Sequence, residues 1–230
     1  MERMINVLLI AIIVIGLLVG SSLVTTGAYF SDTEESIDNA LRCWVSVVTD
    51  YYLHNNPTPP TGDTNSQLVL PVDTTAPTAT TLYNYDMDRD PDPGLLIDRG
   101  GSGVNETDPE LYQAWRTANL TSALTIVGNV TIDLWSTCEG FASGKSGEAV
   151  IFLRDYNGSS YTEIGSGSLY EDPWSPSATW EKKTITISGL NYTIPSGNQL
   201  EVKLIVGDSS GADLWFAYDT TSYSSVAQIP

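Results

Sequence analysis

Four aspartates at alternate positions, Asp86, Asp88, Asp90 and Asp92, form the sharpest chemical cluster in the chain. Carboxylates so spaced converge on one hard cation if the backbone curls, and calcium takes about six to eight oxygen ligands. In a regular strand all of them would point to one face and repel. Pro91 and Pro93 favour an irregular loop, since proline fixes its own backbone and has no N–H to pair. The favoured expectation is a solvated acidic turn, with a calcium loop on these four aspartates as the alternative.

Aromatic residues offer a second chemistry. Trp115, Trp135, Trp174, Trp180 and Trp215 fall in the C-terminal two thirds. Trp135 and Trp215 lie inside strand-like runs and read as core. Trp174, within Asp172-Pro173-Trp174-Ser175-Pro176, reads as an exposed loop ring on which a carbohydrate would stack. Asn105, Asn119, Asn129, Asn157 and Asn191 each open an N-x-Ser/Thr triplet. Asn157, in a Gly-Ser turn, is the favoured glycosylation acceptor, whereas Asn129 adjoins a strand.

Catalytic signals are few. His54 is the only histidine and borders a proline-rich stretch. A Ser-His-Asp arrangement needs a histidine that can reach a serine. The reading is that of a protein that is not an enzyme.

Cys43 and Cys138 are the two cysteines. Two cysteines and one histidine are too few for a structural zinc site. Either they form a disulfide, worth about 4–5 kcal/mol by loop closure over such a span, or they are two separately buried thiols.

The chain has 230 residues, ten basic against twenty-eight acidic, for a net charge of −18. Such a balance excludes nucleic acid and anionic membrane surfaces, both of which attract basic patches. It suits a soluble surface outside the cytoplasm. Ile5 to Val19 is apolar apart from Asn6, is preceded by Arg3, and is followed by small polar residues. A basic start, an apolar centre and small residues after it make an export signal. Ile5 to Val24 also approaches the ~20 apolar residues that cross a membrane as a helix, so an uncleaved anchor stands as the alternative.

The string Ala28-Tyr29-Phe30-Ser31-Asp32-Thr33-Glu34 resembles the processing junction of exported proteins of the TasA and camelysin kind, which are cut by a dedicated SipW-like signal peptidase. The resemblance covers about the first forty residues. It implies that Ala28 is the last residue removed and Tyr29 the new N-terminus. It also implies the company of matrix-fibre subunits, surface proteins and secreted proteases. The chain departs from that family where a β-rich segment should follow.

Ser31 to Leu53 is expected to be a helix. Ser31 and Glu34 have capping-box spacing, and Ile37, Ala40, Leu41, Trp44, Val45, Val48 and Tyr52 recur at three and four residues. The β-branched run around Trp44 to Val48 leaves a strand as the alternative. Asn55 to Pro77, with five prolines, reads as a linker, although Gln67 to Val72 alternates as if to pair with an edge. From Ala79 onward period-two alternation dominates, in Val130 to Leu134, Thr184 to Ile187 and Leu200 to Val206. Ala149 to Leu153 is apolar on both faces and should be central. Turns recur at Asn157-Gly158, Ser188-Gly189, Pro195-Ser196-Gly197 and Ser209-Ser210-Gly211. Short strands so punctuated build a sandwich or a barrel.

Tyr83-Asn84-Tyr85-Asp86, Leu124 to Val130, Ile194 to Leu200 and Tyr218 to Ser225 follow an order similar to jelly-roll modules of secreted prokaryotic proteins. The order also resembles the C-terminal β-sandwich of X-prolyl dipeptidyl peptidases. The resemblance spans about 150 residues and implies a non-catalytic sandwich.

The expected architecture is therefore all-β: a jelly-roll-like β-sandwich at 79–230, preceded by a signal or anchor helix at 1–28, a short helical segment at 29–54 and a linker at 55–78. The expected role is a non-catalytic secreted or cell-surface structural or adhesion protein, such as a matrix or filament subunit. It would associate with itself, with other surface proteins or with glycans, and meet a signal peptidase during export. The alternatives are a carbohydrate-binding module and an accessory domain of a secreted peptidase system.

Overall fold

The computed structural model describes residues 47–55, 69–82, 94–104, 108–139, 144–175 and 179–230. The chain divides into two compact units, Met1–Val47 and Val48–Pro230, and every described strand belongs to the second. In chain order the strands are β1 (Thr49–Leu53), β2 (Val69–Asp73), β3 (Leu95–Ile97), β4 (Tyr112–Arg116), β5 (Leu124–Cys138), β6 (Gly147–Tyr156), β7 (Tyr161–Glu171), β8 (Glu181–Ile194), β9 (Gln199–Val206), β10 (Leu214–Ala217) and β11 (Val226–Ile229). One 3-10 turn, Pro109–Leu111, leads into β4.

β5 organises the first layer. One edge pairs with β8 almost throughout, from Leu124↔Ile194 to Ser136↔Glu181. The other edge is shared: Trp135 to Cys138 face β10, and Thr131 to Asp133 face β11. β3 adds to β10, and β1 adds to β11. The second layer runs β4-β9-β6-β7, antiparallel throughout. β2 joins β4 in parallel and also pairs antiparallel with β1, so it ties the two layers together.

Between the layers lies the core. Ile132 and Leu134 of β5, Ile151 and Leu153 of β6, Val202 and Leu204 of β9, and Phe216 of β10 are all within 1 % of fully buried. These are the inward members of the alternations seen in the sequence, as successive strand residues point to opposite faces. β6, read as central, lies between β9 and β7. Between β8 and β9, Asn198 N donates to Pro195 O at 3.2 Å, and Gly197 takes a φ of 91°. That left-handed position is the one glycine adopts without strain.

Two expectations change. The helix expected over Ser31 to Leu53 does not extend to its end: Thr49–Leu53 is strand β1, held between β11 and β2. Pairing on both edges outweighs the local helical spacing there. The stretch from Asn55 to Pro77 is not wholly a linker, because Val69–Asp73 is strand β2 with Leu70 and Val72 in the core. Pro71 has no N–H to pair, but its carbonyl still joins the strand to its neighbour, accepting from His54 N at 3.0 Å. The sandwich therefore begins near residue 48 and not at 79. The expected leader at 1–28 and the residues before 47 lie outside the described residues. Among the described residues no helix is long and apolar enough to cross a membrane.

Candidate functional site

β9 should be half-buried, with Glu201 and Lys203 facing solvent. Instead Glu201 is 1 % exposed and Lys203 fully buried. The strand is covered on its outer face too. Glu201 accepts from Arg116 of β4, at 3.0 Å from Nε and 2.5 Å from Nη2, and from Arg154 Nη1 of β6 at 3.3 Å. The neighbouring strands supply these arginines directly, since Glu201 pairs with both Arg116 and Arg154 in register. Burial works against the charge on Arg116, and the bonds to Glu201 overcome it, raising its pKa above the usual guanidinium value. The Arg116 guanidinium also lies 3.7 Å over the ring of Tyr156.

The roof over this row is the segment at 99–104. Lys203 Nζ lies 3.3 Å from Gly103 O and 3.4 Å from Ser102 O, and 4.3 Å over the Tyr112 ring. Arg154 Nη2 donates to Gly103 O as well. The segment lies so close that a Cβ on Gly101 would stand 2.5 Å from Leu111 O, and one on Gly103 2.7 Å from the Phe152 ring. Beside it opens a cleft of about 290 Å³ lined by Gly103, Val104, Arg154, Tyr161 and Glu163. The cations here are engaged by Glu201 and by loop carbonyls. Chemically the arrangement fastens a loop to a sheet, and the cleft is lined by one cation, Arg154, and one carboxylate, Glu163.

His54 makes the second constellation. It follows β1, and its Nδ1 lies 2.8 Å from Asp219 Oδ1, just beyond β10. Its Nε2 lies 3.3 Å from Asp73 Oδ1 at the end of β2, an ion-pair contact without hydrogen-bond alignment. Asp219 also accepts from Asn55 N at 2.9 Å and holds a left-handed φ of 57°. The hydrogen bond to Asp219 raises the His54 pKa; partial burial opposes it, and the charges of both carboxylates add to the rise. For Asp73, desolvation pushes upward, but bonds from Thr75 and the charge of His54 prevail and lower its pKa. Carboxylates sit at both ring nitrogens, on opposite sides, so the three groups cannot converge on one metal ion.

The residues singled out from sequence fare differently. Trp174 is not an exposed stacking ring: it is completely buried, and its Nε1 donates to Ser136 Oγ at 3.0 Å. Lys183 Nζ lies 5.0 Å over its ring, and Gly147 lies so near that a Cβ there would stand 2.5 Å from the indole. No disulfide involves Cys138, which is a free, fully buried thiol at the end of β5. Its Sγ approaches Lys145 O at 3.9 Å, and burial raises its pKa. Asn157 is exposed in the β6–β7 turn, where its Oδ1 accepts from Ser159 N, Ser159 Oγ and Ser160 N at 2.9–3.0 Å. Asn129 accepts from Gly189 N at 3.0 Å and so bridges β5 and β8. Asp86, Asp88, Asp90 and Asp92, the Ala28–Tyr29 junction and Cys43 lie outside the described residues. Among the described residues no group of three or more His, Cys, Asp or Glu side chains is placed to hold a metal ion.

No family model and no curated protein matches the sequence. Among solved structures the fold is similar to an aminopeptidase from a marine sediment Thaumarchaeota archaeon, with a TM-score of 0.54 and 12 % identity, covering 80 % of this chain and 36 % of that one. It is likewise similar to a CocE/NonD family hydrolase from Staphylococcus aureus, with a TM-score of 0.54 and 11 % identity, covering 88 % of this chain and 40 % of that one. The chain spans less than half the length of either protein. At such identities the likeness is one of fold: the chain has an all-β sandwich of the kind that occurs within these peptidase and hydrolase chains.

Proposed function

We propose that the protein is a non-catalytic accessory β-sandwich of jelly-roll type that works outside the cytoplasm beside a peptidase or hydrolase. The supporting observation is the fold match, which takes in most of this chain but under half of an aminopeptidase and of a CocE/NonD family hydrolase. The charged constellations agree with such a role. A histidine acting as general base needs one nitrogen turned to a nucleophile. In His54 both nitrogens face carboxylates, and the raised pKa favours the protonated ring. The matrix or filament reading rests on the resemblance at 28–34, outside the described residues. The export reading rests on the apolar leader.

Cross-linking the full-length protein on the cells that make it, followed by mass spectrometry, tests the role. A peptidase or hydrolase among the cross-linked proteins is the expected result. Cross-links between copies of this chain alone would replace it with the structural-subunit reading. Purified secreted protein should not cleave aminoacyl or ester substrates. Turnover that disappears in His54→Gln would show instead that the protein is an enzyme.

A further inference from the structure

The outer face of the β5 layer carries an aromatic group that belongs to neither hydrophobic cluster. Ile132 and Leu134 point into the core, so Thr131, Asp133 and Trp135 point outward. The Tyr223 ring, from the loop between β10 and β11, stands 5.5 Å from the Trp135 ring and 5.8 Å from that of Trp180. All these rings are half-buried, in a layer whose inward face already fills the core. Next to Trp135 in register are Ala217 on β10 and Lys182 on β8. Ala217 is too small to cover the indole.

A polar row continues directly from the rings along the same face. Asp133 accepts from Lys182 Nζ at 2.8 Å and from Thr184 Oγ1 at 2.7 Å. Lys182 is 51 % exposed, and Thr184 and Thr186 are exposed. Apolar rings beside a hydrogen-bonding row whose two charges cancel define the ligand chemistry. A purely apolar partner would bury the Asp133–Lys182 pair and lose its hydration. A polyanion meets a chain of charge −18. A neutral sugar has an apolar C–H face for the rings and hydroxyls that both accept and donate. We propose that Trp135, Trp180 and Tyr223, with Asp133, Lys182 and Thr184, form a binding face for a neutral carbohydrate. The site lies on the other layer from the Arg116–Glu201–Arg154 row and does not include the buried Trp174. It stands whether or not the protein accompanies a hydrolase.

The test uses the full secreted chain against insoluble cellulose, chitin, xylan and mannan, with retention measured from depletion of the supernatant. Soluble oligomers of any retained polymer then give an affinity by calorimetry. Retention on at least one polymer is expected. Trp180→Ala and Tyr223→Ala should each weaken it about tenfold, the scale of losing one ring contact, and Lys182→Ala should weaken it less. Melting temperatures identify variants that fail to fold, and Lys182→Ala, at an exposed side chain, supplies the reading in that case. Tyr170→Ala, at a half-exposed ring of the other layer, should bind as the parent does. No retention on any of the polymers, or retention lost equally in Tyr170→Ala or unchanged in the other variants, overturns the proposal.

Discussion

His54 and Asp219 meet at 2.8 Å although 165 positions separate them in the chain. The contact joins the end of β1 to the end of β10, and Asp73 closes the other side of the ring. Folding raises the pKa of His54 above its ordinary value. A group raised on folding stabilises the protein fully below its unfolded pKa, about 6.5 for histidine. That contribution fades as pH rises through the folded value. The melting temperature of the parent should therefore exceed that of His54→Gln at about pH 6, by the equivalent of about 1 kcal/mol for a partly solvated pair. The gap should narrow at alkaline pH. A gap that is constant over this range would mean that the imidazolium makes no net contribution. Asp219→Asn should behave like His54→Gln, since asparagine tolerates the left-handed backbone but carries no charge.

Glu201 is a carboxylate shared by two arginines that are themselves largely buried. Glu201→Ala would remove the buried carboxylate that both guanidinium groups share. Denaturant titration should show a loss of about 3–5 kcal/mol, the scale of breaking a buried pair from one side. Glu163→Ala, at an exposed position of β7, should lie within about 0.5 kcal/mol of the parent. Equal behaviour of the two variants would remove the Arg116–Glu201–Arg154 row as a stabilising element.

Gly147 lies against the indole of Trp174, where an added Cβ would stand 2.5 Å from the ring. Gly147→Ala should cost about 1–3 kcal/mol by overpacking. The displaced indole should also redden the fluorescence, a change that a loss of stability alone would not produce in the folded state. Ser168→Ala, at an exposed position of β7, should change neither.

The buried thiol of Cys138 should resist modification. In Cys43→Ser protein, a thiol reagent should fail to label Cys138 under native conditions and label it fully in denaturant. Burial excludes the reagent, and the raised pKa keeps the thiolate scarce. Rapid native labelling would contradict the described placement of β5. Cys43 and Cys138 should both titrate as free thiols in the denatured parent, and one intramolecular bridge there would restore the disulfide.

Much of the sandwich was legible because period-two alternation acts within a single strand. β5, β8 and β9 appear in the sequence as Val130 to Leu134, Thr184 to Ile187 and Leu200 to Val206. What alternation cannot report is how deeply the outward face is covered. Glu201 and Lys203 have the pattern of solvated positions, and only the approach of Arg116, Arg154 and the loop at 99–104 buries them. β1 and β2 were obscured for a related reason. Tyr52 falls on a helical spacing and Pro71 on a linker composition, yet both residues are fixed by partners far along the chain. Trp174 misled because proline on either side suggests a surface turn, whereas the indole is buried against Gly147 and Ser136. His54 could not be assigned a partner from sequence at all: no local pattern ties it to Asp219.

Thr49↔Ile229 to Tyr52↔Val226 pair the opening strand of the sandwich with its closing one. The wall containing β5 therefore has a vacant slot until residues 226–229 have been synthesised. A chain emerging in order from the ribosome can assemble hairpins such as β6–β7 early, and β1 can meet β2, yet the other edge of β1 stays open until β11 has been made. Once β11 is in place, the strands that bound the sandwich in sequence are clasped side by side.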